Sequence, residues 1–267
     1  NEIIYKNIIE LMNRIGVRYF VFMMILIISI ISSVVSVIVS AVILSEIVNA
    51  MPVDWDRKVK ITVVACFAVG LGAALTPVGE PLATIVVSKL KGAPYNADFF
   101  FLFRLLADFI IPGIIAMAVL GAYYAGKSET SVVNLPEYTE TLRTVVMRAL
   151  KVYAFVSALV LLGRGLTPLV MWYFTKIPPA VLFWVNMISA ILDNATLAAA
   201  EIAPMLSLPQ IKSALIGLLV SGGMLIPGNI PNIVSAGRLR IKSGEWAKIG
   251  IPVGLVMMLV YFVIIFI

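Results

Sequence analysis

The sequence predicts an all-α polytopic membrane protein made of two inverted repeats, each with a re-entrant hairpin and a broken transmembrane helix. The first observation is composition: 61% of the 267 residues are hydrophobic, 13% are charged, and the mean hydropathy is +1.06. A soluble domain of this size does not need so much apolar surface. The second observation is a pair of glycine- and proline-rich interruptions in long apolar stretches. The third is a pair of apolar stretches with polar centres, which we interpret as hairpins.

The two interruptions share one pattern. Residues 222–232 contain three glycines, two prolines and two asparagines where a helix would otherwise continue, and residues 70–81 repeat part of this pattern at a constant spacing. In lipid, irregular backbone persists only where it is buried in protein or lines a water-filled cavity. Paired broken helices in two halves of a chain indicate the binding site of a transporter. The predicted hinge residues are Gly72, Pro77, Pro81, Gly222, Gly223, Pro227, Gly228 and Pro231.

The first repeat is predicted to occupy residues 1–125. Its second element is a hairpin with a serine-rich tip, which fits the long apolar stretch better than one tilted helix. In order, the elements are an amphipathic interfacial helix at 1–18, the hairpin at 19–48, a polar loop at 54–60, the first broken span at 61–90, a horizontal aromatic helix at 96–106 and a crossing at 107–124.

A polar linker at 126–142 leads to the second repeat, residues 143–267. This repeat begins with a full crossing that has no counterpart in the first repeat, so we expect one or more N-terminal scaffold helices to be missing. In order, the elements are that crossing at 144–162, an interfacial piece at 165–176, a hairpin at 178–205 with its tip at 193–196, the second broken span at 211–238, an interfacial helix at 243–248 and a last span at 251–267.

The predicted topology places three crossings between the two hairpins, and an odd number inverts the second repeat relative to the first. Of the 20 basic residues, 14 lie in the segments 1–18, 54–60, 126–151 and 238–248. The positive-inside rule therefore places residues 54–60 and 126–142 in the cytoplasm of a multi-pass protein of the plasma membrane. The same rule explains the net charge of +6 without a nucleic-acid partner.

Five carboxylates fall within or beside apolar segments, where ionisable groups are functional candidates. We favour Asp193 and Glu80, which lie at predicted non-helical positions and could bind a monovalent cation, since hard cations prefer oxygen ligands. The alternative is that they cap broken helix ends. Glu46 and Glu201 are as easily explained as interfacial anchors. We expect Asp108 to form a local ion pair with Arg104, four residues earlier.

Neutral polar side chains near the same positions complete the candidate ion-binding set. As a group they suit the lining of a cavity, although each could instead form hydrogen bonds to backbone groups that the helix breaks leave unpaired. They are Asn194, Thr196, Asn229 and Asn232 in the second half, and Ser33, Ser36, Ser40 and Thr76 in the first.

Residues 193–196, 222–234, 76–81 and 244–252 together resemble the ion transporter superfamily. That group includes D-type sodium/proton antiporters, arsenite exporters and divalent-anion/sodium symporters. The resemblance extends from about residue 19 onward. It implies a dimeric, elevator-type transporter in which hairpin tips and broken helices frame the substrate.

The resemblance also implies how the candidate residues are arranged. Ser33, Ser36 and Ser40 would face Thr76 and Glu80. Asp193, Asn194 and Thr196 would face Asn229 and Asn232. The first hairpin lacks the Ser-Asn-Thr signature of dicarboxylate carriers, and Glu80 stands where a shorter Asp is common. Both departures favour a cation over an anion as the substrate.

The leading hypothesis is therefore a secondary active transporter that exchanges Na⁺ for protons. The alternative is a sodium- or proton-coupled transporter of an anion or organic acid, dicarboxylate or arsenite-like, with the same fold. An intramembrane enzyme is disfavoured because the chain has no histidine and no Gly-x-Gly-Asp motif, and broken helices favour alternating access over a channel. We expect no cofactor besides the transported ions, and as partners the lipid bilayer, small inorganic ions and a second copy of the chain.

Overall fold

The computed structural model describes residues 10–126 and 172–267, together with the single residues 150 and 165. All regular secondary structure in these residues is helical, so the all-α prediction is confirmed for this part of the chain. The predicted linker, the crossing at 144–162 and most of the interfacial piece at 165–176 lie outside the described residues.

The first half contains five helices after a short helical segment at residues 10–15, which ends at Gly16. They are α1 (Val17–Ile31), α2 (Val37–Ala50), α3 (Trp55–Ala73), α4 (Pro81–Lys89) and α5 (Phe101–Ala125).

The second half, from residue 172, also contains five helices and three short 3₁₀ turns. The turns are Phe174–Lys176, Asn186–Ala190 and Ile226–Gly228. The helices are α6 (Pro179–Val185), α7 (Asn194–Glu201), α8 (Leu208–Gly222), α9 (Ile230–Leu239) and α10 (Ser243–Phe266).

The two predicted interruptions are present: helix is absent between Ala73 and Pro81, and between Gly222 and Ile230 it is limited to a 3₁₀ turn. Each helix after an interruption begins with a proline in its first turn. Proline is tolerated there because the first amides of a helix have no partner within it.

Three predicted boundaries are wrong. Residues 55–60 are helical, because the Asp54 carboxylate accepts a hydrogen bond from the Arg57 amide at 2.9 Å and so starts α3. The predicted pieces at 96–106 and 107–124 form one helix from residue 101, and those at 243–248 and 251–267 form one helix as well. Pro112 and Pro252 lie inside these helices without ending them. The Tyr261 hydroxyl donates to the Phe109 carbonyl beside Pro112, at 2.8 Å.

Within the described ranges, α5 and α10 are long and apolar enough to cross a bilayer, with mean hydropathies of 2.2 and 2.7 over 18-residue windows. Their outward faces expose large apolar side chains, which is consistent with a membrane protein. The exposed residues include Ile111, Ile115, Val119, Val256, Leu259, Val260, Val263 and Ile264.

Helix α3 forms the centre of the fold. Every residue from Ile61 to Ala73 is buried, and the helix packs against α1, α2, α5, α9 and α10. The flanking helices pack crosswise between the halves: α2 lies on α9, and α4 lies on α7. This crosswise packing brings together residues that are far apart in the sequence.

Candidate functional site

The turn between α1 and α2 lies directly on the first interruption. The Val37 amide donates to the Gly79 carbonyl at 2.7 Å, and the Thr76 hydroxyl donates to the Ser33 carbonyl. At Gly72 an added Cβ would lie 1.9 Å from the Ser29 carbonyl oxygen, so this contact requires a glycine. The first hairpin tip and the first break therefore form one unit.

The three predicted serines of this unit have different environments. Ser33 donates to the Ile30 carbonyl at 2.7 Å, and the Ser36 oxygen accepts from the Ile38 amide at 3.3 Å to cap α2. Both satisfy local backbone groups, as the alternative interpretation stated. Ser40 is buried, and its hydroxyl has no partner among the described residues. Of the three, Ser40 is the serine whose hydrogen-bonding capacity is left entirely unused by the described residues.

The second interruption is held by asparagines. Asn232 donates from Nδ2 to the Gly222 and Leu225 carbonyls at 2.9 and 2.8 Å, and the Asn229 oxygen accepts from the Ile230 amide at 2.8 Å. Asn194 lies beside this break, with its Cβ 3.6 Å from where a Cβ at Gly222 would stand. These contacts place Asn194, Asn229 and Asn232 around the same break.

Trp246 also supports the second interruption, and the sequence did not single it out. Its indole Nε1 donates to the Gly223 carbonyl at 3.2 Å from a fully buried position on α10. A Cβ at Gly250, one turn further along α10, would lie 2.3 Å from the Met224 carbonyl oxygen. The close approach of α10 thus satisfies a carbonyl that the end of α8 leaves free.

The two interruptions meet at α3. A Cβ at Gly70 would lie 2.5 Å from Asn229 Nδ2, and one at Gly223 would lie 2.2 Å from the Phe67 ring. The Cys66 thiol donates to the Pro231 carbonyl at 3.5 Å. The first broken segment therefore supports the second directly.

The two favoured carboxylates occupy equivalent positions on packed helices. Glu80 immediately precedes α4 and Asp193 immediately precedes α7, and these helices lie against one another. Asp193 accepts from the Thr196 amide at 3.0 Å and from its hydroxyl at 3.2 Å. Glu80 is 3% exposed, does not cap its helix, and has no partner for Oε1 among the described residues. The two carboxyl groups are close enough to interact electrostatically.

Neither carboxylate is ion-paired with a lysine or arginine in the described ranges. Two neighbouring acidic groups without a basic partner attract positive charge, and an isolated buried carboxylate is costly unless a proton or cation neutralises it. The arrangement is suited to holding a small cation or a proton between oxygen atoms.

The other three acidic residues singled out in the sequence, Asp108, Glu46 and Glu201, lie in different environments. The predicted pair of Asp108 and Arg104 is wrong: Asp108 is exposed, and Arg104 binds Asp98 at 2.7 Å. Arg104 thereby holds the pKa of Asp98, which lies before α5, below its usual value. Glu46 binds Arg238 at 2.5 Å on a partly exposed surface. Glu201 is buried, which its distance along the chain from the hairpin tip did not predict.

The chain matches, over residues 1–267, the model of a family described as "Protein of unknown function (DUF1646)". No curated protein matches it.

Proposed function

We propose that this chain, which belongs to the DUF1646 family of proteins of unknown function, is a secondary active transporter exchanging a small cation, most simply Na⁺, for protons. The observation that supports this most strongly is that the buried Glu80 and the half-buried Asp193 interact with each other and have no basic partner in the described ranges. A proton and a cation would compete for the same oxygens, and this competition is the simplest basis of exchange.

The contacts between helices support inverted repeats as the framework of this transporter. In the first half α1 packs on α3, and in the second half α6 and the turn at 186–190 pack on α8. The packing of α2 on α9 corresponds to that of α4 on α7. A pseudo-two-fold relation between the halves would produce such matched contacts, and it is the usual framework of alternating access.

We place this framework in the plasma membrane with its hairpins re-entrant and its broken helices in the bilayer. The two long apolar helices and their exposed apolar faces support this placement. An elevator-type movement and a homodimer are part of the proposal.

The alternative, an anion or organic-acid transporter, has less support. An anion would bind at helix N-termini. Two of the relevant N-termini carry Glu80 and Asp193, whose negative charge would repel an anion, and the other two are capped by Ser36 and Asn229. Uptake of dicarboxylate or arsenite that is stimulated by sodium would establish this alternative instead.

Flux in proteoliposomes tests the proposal. A pH gradient should drive Na⁺ uptake by the unmodified protein, and Asp193→Asn should abolish it because the neutral amide cannot alternate between proton and cation. Asp108→Asn is the control, since Asp108 is exposed on α5 and should not affect exchange. Undiminished exchange in Asp193→Asn would remove Asp193 from the mechanism.

A further inference from the structure

The starts of α3 and α10 lie side by side and are joined through one carboxylate. The Trp55 indole Nε1 donates to Glu245 Oε1 at 2.9 Å, and the Lys242 amide donates to Glu245 Oε2 at 2.8 Å. The two helices also pack against one another. Each Glu245 oxygen therefore already accepts a hydrogen bond from a group at this junction.

The end of α5 lies at the same junction. The Arg57 guanidinium donates to the Ala125 carbonyl at 3.5 Å, and the Lys60 ammonium lies over the Tyr124 ring, 5.9 Å from its centre. Helices α5 and α10, both long enough to cross a bilayer, thus each have one end here. Tryptophan and tyrosine are enriched where a membrane meets water, and Trp55 is exposed. The junction therefore suits the depth of lipid headgroups.

The basic side chains on the two sides of the junction differ in their pairing. On α3, Arg57 binds Asp54 at 2.9 Å and Lys60 binds Asp56. At the start of α10, three exposed basic residues form no ion pair in the described ranges, and only the negative charge of Glu245 lies among them in the sequence. They are Arg240, Lys242 and Lys248. This side of the junction therefore carries a net positive charge.

Lys248 stands at the head of an exposed apolar stripe on α10. Ile251, Leu255 and Leu259 follow it at spacings that keep side chains on one face of a helix, and all three are exposed. A basic group followed by an outward-facing apolar stripe matches a phospholipid, which has a phosphate followed by acyl chains. A soluble anion would use only the basic part.

We propose that Arg240, Lys242 and Lys248 bind the phosphate of an anionic phospholipid whose acyl chain lies along the apolar stripe of α10. The phosphate has the charge complementary to the three cations, and anionic lipids attract basic side chains beside a membrane-spanning helix. The inference rests on the placement in a membrane proposed above, and it does not depend on the exchange reaction.

Native mass spectrometry of the full chain, purified in detergent and titrated with phosphatidylglycerol or phosphatidylcholine, tests the proposal. Phosphatidylglycerol should bind more tightly. Each basic side chain should contribute about fivefold to its binding, so the double variant Lys242→Gln and Lys248→Gln should weaken it about 25-fold. The same variant should leave phosphatidylcholine binding unchanged. The matched control is Lys91→Gln with Lys176→Gln, which removes two exposed lysines from elsewhere in the chain and should keep the preference.

Two results would overturn the proposal: equal affinities for the two lipids, or the same loss in both double variants. Inorganic phosphate at the concentration of the lipid should not displace phosphatidylglycerol, because it has no acyl chain. Displacement by phosphate would show a site for a soluble anion instead. These measurements need no transport, and Na⁺ flux in proteoliposomes is measured separately, so failure of this proposal is distinguishable from failure of the proposed function.

Discussion

Asn229 lies directly against Gly70, so that a Cβ at position 70 would stand 2.5 Å from the Asn229 side-chain nitrogen. Asn229 caps α9 at the second interruption, whereas Gly70 lies on α3 just before the first. The two broken segments are therefore in contact, and the position of Asn229 at the second interruption depends on the absence of a side chain at Gly70.

Gly70→Ala should displace Asn229 and reduce exchange. Overpacking of this kind costs about 1–3 kcal/mol, which thermal unfolding in detergent and Na⁺ flux would both detect. Gly237→Ala is the matched control, because a Cβ at Gly237 meets nothing within 4 Å. That change should stabilise α9 by about 0.5–1 kcal/mol. Equal effects of the two substitutions would show that the contact with Asn229 is unimportant.

Gly72→Ala should be more damaging than Gly70→Ala. Its Cβ would meet the Ser29 backbone oxygen at 1.9 Å, and backbone cannot rotate away as a side chain can. We expect α1 to separate from α3, with a loss of folded protein in thermal unfolding. Gly92→Ala should be neutral, since a Cβ there meets nothing within 4 Å. A folded Gly72→Ala protein of unchanged stability would contradict the packing of α1 on α3.

Trp246→Phe should destabilise the second interruption. It removes the donor to the buried Gly223 carbonyl, and an unsatisfied buried acceptor costs about 1–3 kcal/mol. Trp55→Phe removes a comparable bond to Glu245, at 2.9 Å, from an exposed indole. Denaturant unfolding should show a small effect for Trp55→Phe. A larger loss there than in Trp246→Phe would indicate that the indole bond to Gly223 does not hold the break.

The Glu46 and Arg238 ion pair should contribute little to stability. Exposed pairs of this kind are worth about 0.2–1 kcal/mol. A double-mutant cycle with Glu46→Gln and Arg238→Gln is needed, because Arg238 also has other interactions. The coupling energy should fall as salt is added. A coupling well above this range that does not change with salt would show that the pair is shielded from solvent.

Local signals made the interruptions predictable. Proline and glycine act on their own turn of backbone, so Pro81, Pro231 and the glycines before them marked both breaks in the sequence. Pro112 and Pro252 have the same local chemistry but do not break their helices. Pro112 removes the hydrogen bond to the carbonyl of residue 108, yet α5 continues to Ala125, and no local pattern in the sequence encodes that difference.

The candidate site was predictable in its residues but not in its geometry. Glu80 and Asp193 stood out as acids in apolar segments, each assigned to its own half. Their proximity comes from the packing of α4 on α7, which sequence spacing does not reveal. Glu201, the last residue of α7, is also buried. The distance along the chain from the hairpin tip predicts how deep in the bilayer this residue lies, but it does not show which helices pack beside it.

The most direct test of the central claim is proton release on addition of Na⁺ to the purified protein in weakly buffered solution. If a proton and Na⁺ compete for the Glu80 and Asp193 oxygens, the unmodified protein and Asp108→Asn should release protons in proportion to the Na⁺ bound. Asp193→Asn should release none. Equal proton release by Asp193→Asn and unmodified protein, or Na⁺ binding without release, would contradict the account.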